Sequence, residues 1–562
     1  MKKNSIVLLA IIAVVVFGLI FGIVSLTQHT GQTQNAIASE SAIKKMDDLY
    51  KKIDVKTLEL QRANVTFEDE ITDLGASLPD ISLYPFVTSP VTSDYIEIFS
   101  SPEKAGTSYE SWLIDVAESF SRSGATVDGK PVSVAIRNIS SGLGVDYIVT
   151  GKYMPDIFTP STELWGDMLI YKGVNVKLIE KRLAGNVAGI VLSKKKNDEL
   201  IKTYGSVNSE IIVKAVLSGE LIMGYTNPFA SSTGLNFLLT TLYTISNSDP
   251  LGADSIAELQ KFQNNIPYVA YNTMQMRESA KSGSLDGFVL EYQTYVNSPD
   301  IRSDYIFTPF GVRHDQPVYE VGELSDIKKE ITRLFIDYCK SPEMQKIASQ
   351  KGFNGMDNYI YEFAKADGAT ISEAQKIWKK EKSGTMELTA VFVADISGSM
   401  DGAPLIKLKE SLISAAGKID PETSVGLVTF SDNVNIALPI EKFDLNQHSY
   451  FSGAVRNMQA GGGTAMFDAI IVATKMLMDA QTQNPNTKLM LFVLTDGETN
   501  RGRTLKDVEG MLKGLKIPIY TIGYNANISV LQNLSSINEA ASINAETEDV
   551  NYKLVSLLNA QM

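Results

Sequence analysis

Four stretches in the last third of the chain, "LTAVFVA", "SVGLVTF", "KLMLFVLT" and "IPIYTIGY", are near-continuous runs of apolar and β-branched residues. A strand with one wet face alternates apolar with polar residues, whereas an unbroken run is covered on both faces. Between the runs lie helical patterns, "APLIKLKESLISAAGK", "TAMFDAIIVATKMLMDAQ" and "RTLKDVEGMLKGLK". Alternating elements of this kind demand a parallel sheet between two layers of helices. Residues 387–562 are therefore expected to form a doubly wound α/β domain, with ligands at the carboxyl ends of its strands. "NVNIALPI", after a brief turn, is expected as an antiparallel edge strand.

Three loops at those carboxyl ends carry oxygen-rich side chains. The run "VFVADISGSMDG" passes straight from strand into Asp395, Ser397 and Ser399. In "QAGGGTAMFDA", Thr464 follows three glycines and precedes a helix. In "LTDGETNRG", Asp496 follows a strand immediately. Taken alone, Asp395 could cap a helix and the glycines could be turns. Together, two carboxylates and three hydroxyls without nitrogen or sulfur make a site for a hard cation. Magnesium takes six oxygens and retains water, so part of its sphere would stay open to water or an acidic group.

"DISGSM", "GLVTFS", "GGGTAMFDA", "VLTDGETN" and "IYTIGYN" stand in the order found in the von Willebrand factor type A domain family, which residues 387–562 resemble. The resemblance implies a metal-ion-dependent adhesion site for Mg2+, or for Mn2+ or Ca2+. Ser397, Ser399 and Thr464 would offer hydroxyl oxygens, and Asp395 and Asp496 would bind directly or through water. It also implies a partner protein whose Glu or Asp completes the sphere. The sequence departs from the family in "NEAASINAETEDV", which lacks the glycine often found before the last strand.

Residues 94–380 also alternate strand and helix, beginning with "YIEIFSS", "SYESWLIDVAESFSRSG" and "VSVAIRNI". "YIEIFSSPE", "NISSGLGVDYIVTGKYMPDIFTPSTELW", "GELIMGYTNPFASSTGLNFLL", "DGFVLEYQTYV" and "YCKSPEMQKIASQKGF" resemble periplasmic-type extracellular solute-binding proteins. That implies two α/β lobes closing around a small polar or anionic solute. Hydroxyls and free amides at helix starts suit such a ligand. The candidates are Ser100, Ser101, Ser140, Ser141, Thr159, Ser161, Ser231, Ser232 and Thr233, with Tyr225 and Glu291. Singly each hydroxyl reads as a helix cap; their recurrence after successive strands points to a cleft. The charged segment 366–386 is expected as a helix linking to the last domain.

At the other end, "SIVLLAIIAVVVFGLIFGIVSL", residues 5–26, carries no charge. As a helix it spans about 33 Å, enough to cross a bilayer core. Lys2 and Lys3 precede it, so residues 1–29 are expected as a cytoplasmic tip and membrane anchor, with the rest outside the cytoplasm. A cleaved signal peptide is the alternative, but its apolar region would be unusually long, and the nearest small-x-small site, "AIA" at 36–38, lies well beyond it. Residues 30–93 are expected as a helical stalk and linker. Ile43, Met46, Tyr50, Ile53, Thr57 and Leu60 are spaced by threes and fours, as in an amphipathic helix or a short coiled coil, and Pro79, Pro85 and Pro90 mark a boundary.

A formal charge of −14 argues against nucleic acid, which calls for clustered Lys and Arg. Three scattered histidines, a single cysteine (Cys339) and no P-loop lysine or G-x-S-x-G elbow give no catalytic signature. The chain is thus expected to be a binding protein rather than an enzyme. It would join a solute receptor, or a middle domain that serves only as a scaffold, to a metal-dependent adhesion domain. A metal-dependent hydrolase is the rival reading.

Overall fold

The computed structural model describes residues 39–65, 78–270, 273, 276–277, 285–382, 384–497, 499–524, 528–537, 542–544 and 554. The apolar run 5–26 lies outside them. Among the described residues no helix is long and apolar enough to cross a membrane.

The middle of the chain builds two sheets. In the first lobe Asp94–Ser100 lies between Lys130–Asn138 and Ile157–Thr159, all parallel, and Val318–Val321 pairs antiparallel with Ile157–Thr159. In the second, Gly287–Glu291 lies between Met223–Thr226 and Ala188–Ser193, with Tyr268–Ala270 and Tyr305–Phe310 outside them. The chain leaves the first sheet at Glu180 and returns to it at Val318, so segments 181–187 and 311–317 both cross between lobes. Cys339 is a core residue, fully buried at the end of the helix Asp326–Cys339.

The helix Gly368–Glu381, expected as a link, is a strap across the lobes. It packs on Leu164–Tyr171 of the first and on Ser232–Ile245 and Ala253–Asn264 of the second. Asp367 caps it by accepting from the Thr370 N–H at 2.8 Å. Its apolar face buries Ile371, Ala374 and Trp378. Trp378 Nε1 donates to the Tyr225 hydroxyl at 2.6 Å, which satisfies the polar end of a side chain otherwise wholly in the core.

Among the described residues the third sheet has seven strands, numbered here along the chain: β1 Val55–Thr57, β2 Glu387–Asp395, β3 Ser424–Phe430, β4 Val434–Lys442, β5 Thr487–Thr495, β6 Ile519–Gly523 and β7 Ser542–Asn544. Their order is β1-β4-β3-β2-β5-β6-β7, and β3–β4 is the one antiparallel pairing. The central strand β2 is buried along Leu388–Asp395, as an unalternating apolar run requires. Despite the missing glycine, β7 pairs in parallel with β6.

Two expectations change here. The stalk is not one helix, and β4 is not the edge. The N-terminal helix runs only over Glu40–Tyr50, and it buries Ala42 and Met46 against the helices Leu505–Leu515 and Met466–Gln483. From Ile53 the pattern alternates, with Ile53, Val55 and Thr57 separated by Asp54 and Lys56, which is the period of a strand. That strand, β1, pairs with β4 in the register Val55↔Val434 to Thr57↔Ile436 and covers its open edge. The chain then crosses the helix Leu445–Arg456, where the Ala63 N–H donates to the Ser449 carbonyl at 3.0 Å. Gly453 has no Cβ, which lets the Gln61 carbonyl approach. The middle domain is therefore an insertion between β1 and β2.

Candidate functional site

The three oxygen-bearing loops converge at the carboxyl ends of β2 and β5. Asp395 ends β2 fully buried, and its Oδ1 accepts from the Ser397 N–H at 2.8 Å. This turns the chain so that the Ser397 and Ser399 hydroxyl oxygens lie 3.0 Å apart, with Ser399 exposed. Asp395 Oδ2 accepts from the Thr495 hydroxyl at 2.5 Å, and Thr495 Oγ1 accepts from the Gly497 N–H at 3.1 Å. Through that pair of bonds Asp395 holds the loop that carries Asp496.

The glycine loop is pinned from both sides. Asp432 Oδ1 accepts from the Gly463 N–H at 3.0 Å, and Asn500 Oδ1 accepts from the Thr464 N–H at 2.9 Å. The Asn500 and Arg501 amides both donate to the Thr464 carbonyl at 3.2 Å. Gly462, at φ +83°, occupies the left-handed region, where a side chain would also strike Asp432.

Burial pushes the Asp395 carboxyl up to about 6, against the opposing pull of its bonds to Ser397 and Thr495; the nearby Asp496 charge adds to the rise. A buried carboxylate raised by burial and by a second carboxylate beside it is the environment a bound metal ion would relieve. Among the described residues no group of three or more His, Cys, Asp or Glu is placed to hold a metal. Any ion here must draw on hydroxyls. The donor set fits a hard divalent cation.

In the middle domain the expected residues divide. Ser101 and Ser161 join a buried polar cluster with Glu103 and Lys104 at the seam between the lobes, to which Thr159 contributes its carbonyl. Ser141 and Ser232 meet across that seam at 3.2 Å, and the Thr233 hydroxyl donates to Glu291 at 3.3 Å. Ser100, at the end of its strand, donates to the Ser101 carbonyl at 3.5 Å, and the half-buried Ser140 starts the helix Ser141–Thr150 without capping it. Ser231 caps the helix Ser232–Ile245. Tyr225 does not belong to the cleft: its hydroxyl is enclosed by Gln263 and Trp378 beneath the strap helix. Burial lowers the Lys104 ammonium, offset in part by Glu103 and Glu291, and burial raises the Glu291 carboxyl.

Sequence reasoning missed Thr495, Asp432, Asn500 and Arg501 at the oxygen-bearing loops, and Glu103, Lys104, Asn186, His314 and Gln316 at the seam. Thr495 could have been found, since it is the polar last residue of an apolar strand just before Asp496. The others act through partners distant in sequence.

Residues 390–559 match the model of the von Willebrand factor type A domain, and residues 105–354 that of the bacterial extracellular solute-binding protein family. The inter-alpha-trypsin inhibitor heavy chain H1 of Mesocricetus auratus is 30% identical over 155 residues, which cover 25% of this chain and 16% of that one. The chain thus spans about a sixth of that relative's length. A von Willebrand factor type A structure from Catenulispora acidiphila aligns with 31% of this chain and 43% of its own at 19% identity and a TM-score of 0.27. The sulfate-binding protein SubI of Mycobacterium tuberculosis aligns with 47% of this chain and 88% of its own at 16% identity and a TM-score of 0.35. The chain carries a bacterial extracellular solute-binding domain over residues 105–354 and a von Willebrand factor type A domain over residues 390–559.

Proposed function

We propose that the chain is a membrane-held extracytoplasmic binding protein whose C-terminal domain grips a carboxylate of a partner protein through a divalent cation. Asp395, Ser397, Ser399, Thr464 and Asp496 would hold Mg2+, or Mn2+ or Ca2+, and the ion would supply a Lewis-acidic position for the incoming Glu or Asp. The observation that carries this reading is Asp395, a buried carboxylate raised by burial and by Asp496, with the Ser397 and Ser399 hydroxyls 3.0 Å apart in the loop it turns. In this reading its role is binding rather than turnover.

Calorimetry on residues 39–562 tests it. The wild type should bind one Mg2+, and Asp395→Ala should weaken binding by more than about 100-fold, beyond what losing a supporting residue costs. Equal binding by both would overturn the reading.

In this reading residues 5–26, an uncharged run that follows Lys2 and Lys3, are the anchor. The Ser39 N–H donates to the Gly514 carbonyl, near the end of the helix that leads into β6. The second lobe also sits at the amino ends of the strands, where Lys488 of β5 donates to the Gln263 carbonyl at 3.1 Å. The metal loops occupy the opposite end of the sheet, facing away from the point where the chain enters. Protease added to intact cells should digest the chain, and the remnant should stay with the membrane fraction. Full protection, or release of a soluble chain starting near Ser39, would overturn the anchor.

A further inference from the structure

The seam between the two lobes is filled by the protein's own charged groups. Lys104 is fully buried, and its ammonium donates to Ser101 Oγ at 2.6 Å, the Thr159 carbonyl at 2.8 Å and Gln316 Oε1 at 2.8 Å. An ammonium has three donors, and all three are used. Glu103 lies 3.5 Å from it and accepts from the Ser101 and Ser161 hydroxyls. On the second lobe's side, Glu291 accepts from Asn186 Nδ2 at 2.6 Å and lies 3.0 Å from His314 Nδ1. Gln316 ties the two halves together, since its Nε2 donates to the His314 carbonyl at 3.0 Å.

The walls also touch directly. Trp165 Nε1 of the first lobe donates to Ser232 Oγ of the second at 2.8 Å, and Gln293 Nε2 donates to the Tyr109 carbonyl at 3.1 Å. A Cβ on Gly142 would collide with the Phe229 carbonyl, so the backbones meet there without a gap. The strap helix Gly368–Glu381 spans the pair from outside. A two-lobed receptor closes when its solute interacts better with the closed state than with the open one. Here the walls supply those interactions to each other.

The geometry points to a middle domain that is its own ligand: the Lys104 ammonium fills the seam as an internal cation, and the lobes stay closed without solute. This goes beyond the metal-site reading and does not depend on it. It makes the inserted domain a rigid spacer, and it identifies the chemistry of the occupied position as that of a primary alkylammonium.

Two measurements on residues 39–562 test this. Spin labels at Arg122→Cys in the first lobe and Lys195→Cys in the second, both exposed positions, report the lobe separation by pulsed dipolar spectroscopy, and buried Cys339 can stay in place. A single short distance is expected, unchanged by sulfate, phosphate, molybdate, thiamine or free amino acids. A long or mixed distribution, or one shortened by any of these, would overturn the proposal. Lys104→Ala should lower the melting temperature, and n-propylammonium, which replaces the deleted atoms, should restore part of the loss where tetramethylammonium does not. A folded Lys104→Ala with an unchanged melting temperature would also overturn it. If that variant does not fold, the wild-type distance decides.

Discussion

In metal-free buffer at neutral pH, Asp395→Asn is expected to make the protein more stable, by about 3 kcal/mol, while abolishing the stabilisation that Mg2+ confers. The figure follows from a carboxyl pushed from 3.8 to about 6 by burial, at about 1.4 kcal/mol per unit. The sign follows from linkage. An acid whose folded value is raised holds its proton longer in the folded state than in the unfolded one. Folding is unpenalised by this group below about pH 4, loses stability as pH rises toward 6, and carries the whole cost above it. A cation beside Asp395 reverses the balance by favouring the ionised form. The Mg2+-induced rise in melting temperature should therefore be full at pH 7.5 and fade as pH falls through about 6. Asparagine keeps an oxygen for the Ser397 N–H bond now made at 2.8 Å and removes the charge. Calorimetric melting with chelator and with Mg2+, over a pH series, checks both halves. A wild-type protein whose metal-free stability does not decline between pH 4 and 6, or an Asp395→Asn that still responds to Mg2+, would show that burial is not what governs this carboxyl.

The C-terminal sheet and its oxygen loops were legible because their signals are local. An apolar run identifies a doubly covered strand, and the residue after it stands at the sheet's carboxyl end whatever the rest of the chain does. β1 was legible only in part. Its alternation at Ile53, Val55 and Thr57 overlaps a helical spacing that begins at Ile43, and nothing near it in sequence indicates a partner at Val434–Ile436, some 380 residues away. The middle domain shows the same limit. Ser101 and Ser161 sit where a hydroxyl-rich cleft would place them, yet Ser101 accepts from Lys104 and Ser161 donates to Glu103, two charged residues that read as surface until tertiary structure buries them. Tyr225 was misplaced because alternate residues of a strand face opposite ways. Its hydroxyl goes to the strap helix, whose apolar face the charged residues around it had obscured.

Residues 385–562 expressed alone are expected to be less stable by about 4 to 6 kcal/mol than the same residues joined through a flexible linker to 39–65. The estimate sums the burial of Met46, Ala42 and the partly buried Ile43, Ile53 and Val55, at about 1.5–3 kcal/mol for each large apolar side chain fully covered and less for the rest. The ordering entropy of a 27-residue segment keeps the figure from rising further. The loss should be accompanied by association, because β4 without β1 presents the unpaired backbone of Val434–Ile436. Urea unfolding and light scattering on the two proteins measure both effects. Matching midpoints, with no aggregation of the shorter protein, would show that the N-terminal segment only rests on the domain.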